Sequence, residues 1–577
     1  MTPATGGTST TTIGDFLLRR LREAGIAHAF GVPGDYNLEF LQQIEDSGTL
    51  AWIGTCNELN AAYAADGYAR LSGLGLVVVT NGVGALSAIN GIAGAYCEHV
   101  PVVCVCGSLP LVAREQDRLM HHTLADGGRD EFIRAYAQVT AAQTRITPQN
   151  AVAEIDRVLR TAWLLKLPVY LELPSDVAYL DIEAPTEPLR LTTPLSDRER
   201  LASSSRAIAD RLVAAKAPAV LIDLDADRFG AVSGIIELAE RLNLPIAAAL
   251  TAKGVIDETL PCYIGLYDGA GSSPTVRAAI ENSDCLLAVG YRRVDTTSGY
   301  FSDNLPADTI HARAYSVDVG GTNYQAVTLR ELIQSVIADV TPHPGPVAFP
   351  RDTGAAAAAR ATTAAAATTT ATGALSQAEL WQTVQGYIRA GDVIIAEDGT
   401  SNAGGWALDL PTGTTFITQA VWGSIGYSVG SLLGTLFAAP ARRQLLIVGD
   451  GSFQLTAQEL STILRHDLSP TILLVNNSGY TIERAILGRN ARYNDVADWA
   501  YSELPRVLRP DGNALTFRVE TAEDLRKALD TDHDGLIFIE AALGPDDASA
   551  NLISAGHAGA NLDYGPRGPQ GRPGAQL

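Results

Sequence analysis

Positive charge is scarce in this sequence: its 577 residues carry 42 Lys and Arg against 64 Asp and Glu, a formal net charge of −22. Binding a phosphate backbone needs a basic face, which argues against a nucleic-acid partner but leaves room for a small anion held locally. Cysteine is scarce too, and six in a chain this long do not make a disulfide framework. Cys104 and Cys106 alternate in the apolar run PVVCVCG, which is expected to be a buried strand carrying small thiols. A metal site there is disfavoured, because no second cysteine pair or nearby histidine accompanies them. No uninterrupted apolar run approaches about 20 residues, so no membrane span is expected. The opening MTPATGGTSTTT lacks the apolar core of a secretory signal, and a cytoplasmic location is expected. Charged residues make up only 18% and apolar ones 46%, which suits large buried cores and argues against global disorder.

Short apolar strands alternate with amphipathic helices along the chain, the grammar of an α/β fold with parallel sheets. TIGDFLLRRLREAGI, ELNAAYAADGYARLSG and ALSAINGIAGAYCEH read as helices; AHAFG, LGLVVVTNG and PVVCVCG read as strands between them. PAVLIDL, LPIAAAL, DCLLAVG and ARAYSVDV repeat the strand signal in the middle of the chain, and DVIIAEDG, RQLLIVGDG, PTILLVNN and GLIFIEA repeat it near the end. Three doubly wound parallel-sheet domains are therefore expected, over residues 1–190, 191–341 and 375–577. Residues 342–374 are Pro, Ala, Thr and Gly with almost no large apolar side chains, and read as a linker. The Gly- and Pro-rich end reads as a disordered tail from about residue 550.

The strongest local signal is QLLIVGDGSFQLTAQELSTILRHDLSPTILLVNNSGYTIE. A buried strand ends in Gly449-Asp450-Gly451-Ser452, and a helix is expected to begin near Gln454. Glycines let backbone N–H groups approach an anion, and a helix start favours negative charge. The next strand ends in Asn476-Asn477. Ligands of doubly wound sheets lie at the carboxyl ends of strands, so Asp450 and Asn477 reach one edge with oxygen ligands suited to Mg²⁺. The spacing of G-D-G and N-N resembles the thiamine diphosphate (ThDP) motif. Such a cofactor needs a carboxylate on the far nitrogen of its aminopyrimidine, placed at a helix start in another α/β domain. Glu58, after the apparent strand AWIGTC, meets that description.

With these residues in place, the chain resembles the pyruvate decarboxylase and indolepyruvate decarboxylase family of ThDP enzymes over roughly residues 11–545. GVPGDYNLEF, NELNAAYAADGYAR, HHTLADG, EDGTS, VWGSIGYS, GDGS and NNSGYTIE all resemble family motifs, in the family's order. The resemblance implies non-oxidative decarboxylation of a 2-oxo acid to an aldehyde and CO2. It implies that Asp35, His121, His122 and Glu483 are acid–base groups, consistent with the proton that a His–carboxylate pair delivers near neutral pH. It further implies that Ile425 holds the cofactor bent and that the Gly423 carbonyl takes its amine. Thr400, Gly451 and Ser452 would hold the diphosphate, Asp450, Asn477 and the Gly479 carbonyl the metal, and Ile482 would line both cofactor and substrate. A homodimer, typically paired again into a tetramer, is implied as well, with Glu58 and Asp450 brought together across a subunit interface. No nucleic-acid or membrane partner is expected.

Several positions depart from the family. Ala85 stands where a glutamate is frequent, and Ser478 where an aspartate is common. Asp398, Asn402, Ala403 and Thr296 occupy expected pocket positions without the aromatic bulk of members with small pockets, which favours a substrate such as indolepyruvate or phenylpyruvate over pyruvate. Asp398 and Asn402 could instead bind a polar substrate tail or only line the cofactor. The final residues do not resemble the helix that closes the site in some members. An acetolactate synthase-like carboligase with bound FAD is the competing reading; it shares Glu58 and GDGS but should lack the histidine pair.

Overall fold

A computed structural model describes residues 7–342, 349 and 373–577. Most of the Ala/Thr-rich stretch expected to be a linker therefore lies outside the described residues. By packing, the chain divides into two compact units: residues 1–193, 424–441 and 455–468 form one, and residues 194–423, 442–454 and 469–577 the other.

The first unit is built on six parallel strands in the order Ala51–Gly54, His28–Gly31, Gly75–Thr80, Val102–Ser108, Val169–Pro174, Ala142–Arg145. The central strands are buried from end to end, as parallel strands covered by helices on both faces must be. Cys104 and Cys106 sit in one of them with no exposure, and burial pushes the Cys104 thiol up to about 12. Helix Glu58–Ser72 packs against helix Tyr427–Ala438, and a buried ionic network fixes their register. Tyr427 donates to Asp66 at 2.5 Å, while Arg70 reaches Asp66 at 2.6 Å and Glu98 at 2.8 Å.

The second unit holds two sheets. One has the order Thr415–Ile417, Val393–Ala396, Gln444–Gly449, Thr471–Asn476, Ile537–Ala542, Leu515–Val519, all parallel. Its winding order equals that of the first unit's sheet, a kinship that alternating strands and helices alone do not display. The other sheet runs Tyr263–Tyr267, Ile246–Ala249, Pro218–Ile222, Cys285–Val289, Ile310–Arg313 in parallel, then turns antiparallel through Ser316–Val319 and Thr322–Gln325. ARAYSVDV is thus a hairpin and not one strand: Arg313 pairs with Ser316 around Ala314-Tyr315. The turn carries none of the Gly or Asn residues that would have signalled it.

The end of the chain is also a correction. Residues Ala550–Tyr564 are a helix, N-capped by Ser549, whose buried positions are Leu552, Gly556, Gly559 and Ala560. A face of small residues leaves no large apolar stripe to read, yet it lets the helix lie close on Thr481–Ile486. Beyond it the chain turns back. Gln576 Nε2 donates to the carbonyls of Ala485 and Ile486 at 3.2 and 2.9 Å, and the Leu577 N–H to that of Arg484 at 3.0 Å. These are the orphan carbonyls at the end of helix Thr481–Ile486, so the tail is tied down by what that helix leaves unsatisfied. No helix among the described residues is long and apolar enough to cross a membrane.

Candidate active site

In the first unit the winding reverses between strands His28–Gly31 and Gly75–Thr80, the switch point where doubly wound sheets leave a crevice. Asp35 lies just beyond the first strand's carboxyl end and Asn81 directly follows the second. The Asn81 amide donates to the His122 carbonyl at 2.9 Å and so brings the histidine loop to that edge. His121 Nε2 lies 2.6 Å from Asp35 Oδ2, and His122 Nδ1 lies 3.8 Å from Asp35 Oδ1. Tyr36 stacks on the His121 ring at 5.0 Å, with its hydroxyl 3.2 Å from Nδ1. One imidazole nitrogen thus meets a carboxylate and the other a phenol, an arrangement that fixes ring orientation and lets a proton pass at Nε2.

Glu58 opens helix Glu58–Ser72, whose N-cap Asn57 accepts from the Asn60 N–H at 2.9 Å. A Cβ on Gly84 would lie 3.1 Å from Glu58 Oε1, so the glycine leaves room for this carboxylate. The carboxylate hydrogen-bonds to no described residue. Ile425 sits half-buried in the turn before helix Tyr427–Ala438. Its neighbours are pinned: Ser424 Oγ lies 2.6 Å from the Tyr63 hydroxyl and accepts from Asn90 at 2.9 Å, and the Gly426 carbonyl accepts from Thr456 at 2.7 Å.

The sequence reading missed Glu459, which is fully buried. Its Oε2 accepts from the Cys56 N–H at 3.1 Å and from Asn60 Nδ2 at 2.7 Å, bracketing Glu58 on both sides. Nothing in the sequence near residue 459 points to position 58, because the two are close only through packing. Glu459→Ala should slow C2–H exchange of bound ThDP on the order of 10²-fold by letting the start of the helix shift, and Glu459→Gln, which keeps an acceptor, should restore most of it. Equal exchange in wild type and the alanine variant would remove Glu459 from this role.

In the second unit the corresponding reversal falls between Val393–Ala396 and Gln444–Gly449. Helix Asp450–Thr456 begins at Asp450 itself, not near Gln454, so GDG is the helix's first turn. The Asp450 side chain is buried and accepts from the N–H groups of Gly451 at 2.8 Å and Gly479 at 3.0 Å. Burial nonetheless pushes its carboxyl up to about 6, against the pull of those N–H groups and of the Arg484 charge. The Asn477 side-chain oxygen faces Asp450 Oδ1 at 3.3 Å and the Gly479 carbonyl at 2.9 Å, while its nitrogen lies 2.8 Å from Thr481 Oγ1. Turned over, the amide donates to both acceptors and accepts from Thr481 Oγ1. In either orientation the Asp450 carboxylate, the Asn477 amide and the Gly479 carbonyl sit together, an oxygen set of the kind a hard cation takes. The donor set thus fits Mg²⁺. The backbone here requires glycine: Gly479 has φ 128°, and a Cβ there would meet the Asn494 carbonyl at 2.0 Å. Arg484, also missed by the sequence reading, holds this loop by donating to the Ser478 carbonyl at 2.8 Å.

Gly451 lies against the Tyr480 ring, and Ser452 is buried beside it. Thr400 starts helix Thr400–Gly405 behind Gly399, and a Cβ on Gly399 would lie 3.5 Å from Ile482. Ser401 and Gln419 are buried nearby in sequence, with Ser401 Oγ and both Gln419 amide atoms bonded to no described residue. Such orphaned groups fit a polar ligand at this edge. Asp398 accepts from Asn402 at 2.6 Å, and a Cβ on Gly423 would lie 3.2 Å from Asp398 Oδ2. These two polar side chains partly satisfy each other, which lessens their claim on a substrate tail. Ala403 is buried beside them, and Thr296 lies in the turn Asp295–Thr297. Glu483 follows Ile482 in helix Thr481–Ile486; desolvation foremost, and then the Asp563 carboxylate of the terminal helix, raises its carboxyl above the usual range.

The middle sheet has its own switch point, between Pro218–Ile222 and Cys285–Val289. Asp223 fills it, accepting from the Leu224 N–H at 2.7 Å, the Thr251 hydroxyl and the Arg292 N–H at 3.2 Å. A carboxylate in that crevice opposes the pyrophosphate of a dinucleotide such as FAD.

Comparison with known proteins first defines the class. Residues 11–127, 205–340 and 399–541 match the N-terminal TPP binding, central and C-terminal TPP binding domains of thiamine pyrophosphate enzymes. The chain is 40% identical over 539 residues to the Alpha-keto-acid decarboxylase of Mycolicibacterium paratuberculosis, covering 92% of this chain and 94% of that protein. Proteins of the same name from Mycobacterium tuberculosis and Mycobacterium leprae are 40% identical over 538 and 537 residues, with 92% of this chain covered in each case and 94% and 92% of theirs. The chain belongs to the family of thiamine diphosphate-dependent 2-oxo acid decarboxylases.

Proposed function

We propose that this enzyme converts a 2-oxo acid with a bulky side chain to an aldehyde and CO2, using ThDP and Mg²⁺. The observation that carries the reading is the Asp35–His121 contact at 2.6 Å, with His122 beside it, at a sheet switch point in a member of this family. Asp450, Asn477 and the Gly479 carbonyl would hold the metal; Thr400, Gly451 and Ser452 the diphosphate; the Gly423 carbonyl, Ile425 and Ile482 the rings; and Glu58 a proton at the pyrimidine nitrogen. When bound, ThDP supplies the centre that takes up the electron pair left by the departing carboxylate. The chain's own task is then proton control. Glu483, whose carboxyl desolvation raises above the usual carboxylate range, would exchange a proton near the substrate carboxylate. His121 Nε2, oriented by Asp35 and Tyr36, and its neighbour His122 return a proton to the carbon that loses CO2.

Thr296, Asn402 and Ala403 bring little bulk to the expected pocket, which supports a large substrate side chain. A homodimer is the form we infer as active; Val83 and Leu86, one helical turn apart and 58% and 48% exposed, support burial against another copy. The FAD-dependent carboligase reading is disfavoured by the histidine pair and by Asp223 in the middle crevice. In a panel of pyruvate, branched, phenyl and indolyl 2-oxo acids, with aldehyde detected by coupled reduction, kcat/KM for the aromatic acids should exceed that for pyruvate by about 10-fold or more. A preference for pyruvate would contradict the wide pocket, and condensed products without aldehyde would contradict the reaction.

A further inference from the structure

Gly299, Tyr300 and Phe301 follow one another in left-handed backbone, at φ 59°, 56° and 60°. Tyrosine and phenylalanine avoid this region, so two in succession persist only where their surroundings over-determine them, and such strain collects at functional sites. The turn is held from every side. Ser298 Oγ donates to the Val294 carbonyl and Ser302 Oγ to that of Gly299, each at 2.5 Å. The Ala270 N–H donates to Ser302 Oγ at 2.8 Å. Arg293 makes a forked pair with Asp303, at 2.7 to 2.9 Å, and lies 5.2 Å from the Phe301 ring centre.

What this hold achieves is the placement of Tyr300. Its ring abuts the terminal helix at Gly559, where a Cβ would come within 3.2 Å of it. Its hydroxyl bonds to no described residue. The Thr296 hydroxyl on the same turn is buried and likewise bonded to no described residue. The phenol is pushed up to about 12, by desolvation first and then by the carboxylates of Asp268, Asp295, Asp398 and Asp563. Asp398 is one of the expected pocket residues, and Asp563 is the carboxylate that acts on Glu483. A strained turn therefore carries two unpaired hydroxyls, and of the carboxylates acting on Tyr300 one, Asp563, also acts on the expected acid–base Glu483.

We propose that Tyr300 is a specificity-determining residue whose hydroxyl, with that of Thr296, hydrogen-bonds a donor group at the far end of the substrate's side chain. The field of Asp398 and Asp563 opposes an anionic tail and favours a neutral N–H or O–H. The substrate class is a 2-oxo acid with an indolyl or hydroxyphenyl side chain. This rests on the decarboxylase reading given above.

The test is the ratio of kcat/KM for the 4-hydroxyphenyl over the phenyl 2-oxo acid, which isolates one hydroxyl, together with the indolyl over phenyl ratio. Wild type should prefer the donor-bearing acids, and Tyr300→Phe should lower both ratios by about 3- to 10-fold, the worth of one hydrogen bond. Thr296→Val should lower them in the same direction and serves if Tyr300→Phe melts early. Ratios unchanged in a folded variant would overturn the assignment while leaving decarboxylation standing. Absence of aldehyde from every acid would overturn both.

Discussion

Glu58→Gln should slow hydrogen–deuterium exchange at C2 of bound ThDP by about 10²- to 10⁴-fold, the span typical of a positioned acid–base group. The substitution is nearly isosteric. Glu58 opens its helix but is not its cap, a role held by Asn57, and its carboxylate bonds to no described residue, so no packing is lost. The melting temperature of the cofactor-free protein should therefore stay where it is, and ThDP should still bind through its diphosphate. What glutamine cannot do is share a proton with the pyrimidine nitrogen. Unchanged exchange in a folded, ThDP-loaded variant would remove Glu58 from this function.

Asp450→Asn should act on the other end of the cofactor. In the cofactor-free protein, desolvation already raises the Asp450 carboxyl to about 6, so a neutral amide that keeps an acceptor for the Gly451 and Gly479 N–H groups should cost little stability. Magnesium, held as proposed by Asp450, Asn477 and Gly479, would by contrast lose its one charged ligand. Substitution of a group merely supporting a metal costs about 10- to 100-fold in affinity, so loss of this ligand should weaken Mg²⁺-dependent ThDP retention by more than about 100-fold. Equilibrium binding followed by fluorescence checks this. Wild-type retention would contradict the metal assignment, and a large drop in melting temperature without cofactor would show that the carboxylate serves the loop instead.

The sequence was legible where chemistry leaves a local pattern. GDG followed by NN marks two neighbouring strand ends that bring Asp450 and Asn477 to one edge, although GDG is the first turn of the helix and not a turn ahead of it. The apparent strand AWIGTC followed by an alanine-rich helical run puts Glu58 at a helix start, and the helix begins there. It was opaque where partners lie far apart in the chain. Glu459 supports the start of the Glu58 helix through its bond to Asn60, 399 residues away along the chain. Arg484 supports the NNSG loop from helix Thr481–Ile486 through the Ser478 carbonyl, a contact that no local pattern marks. Tyr300 carries no motif; only its backbone angle distinguishes it. The tail misled for a different reason. Gly and Pro lower intrinsic order, but small residues also permit close helix packing, and the bare carbonyls of helix Thr481–Ile486 supply the partners that composition cannot reveal.

The most direct measurement uses the wild-type chain stripped of small molecules and offered an aromatic 2-oxo acid. CO2 and aldehyde should both stay at background until ThDP and Mg²⁺ are added together, and should then form in equal amounts. Release of CO2 without ThDP, or none with both present, would contradict the assignment of this chain as a cofactor-dependent decarboxylase.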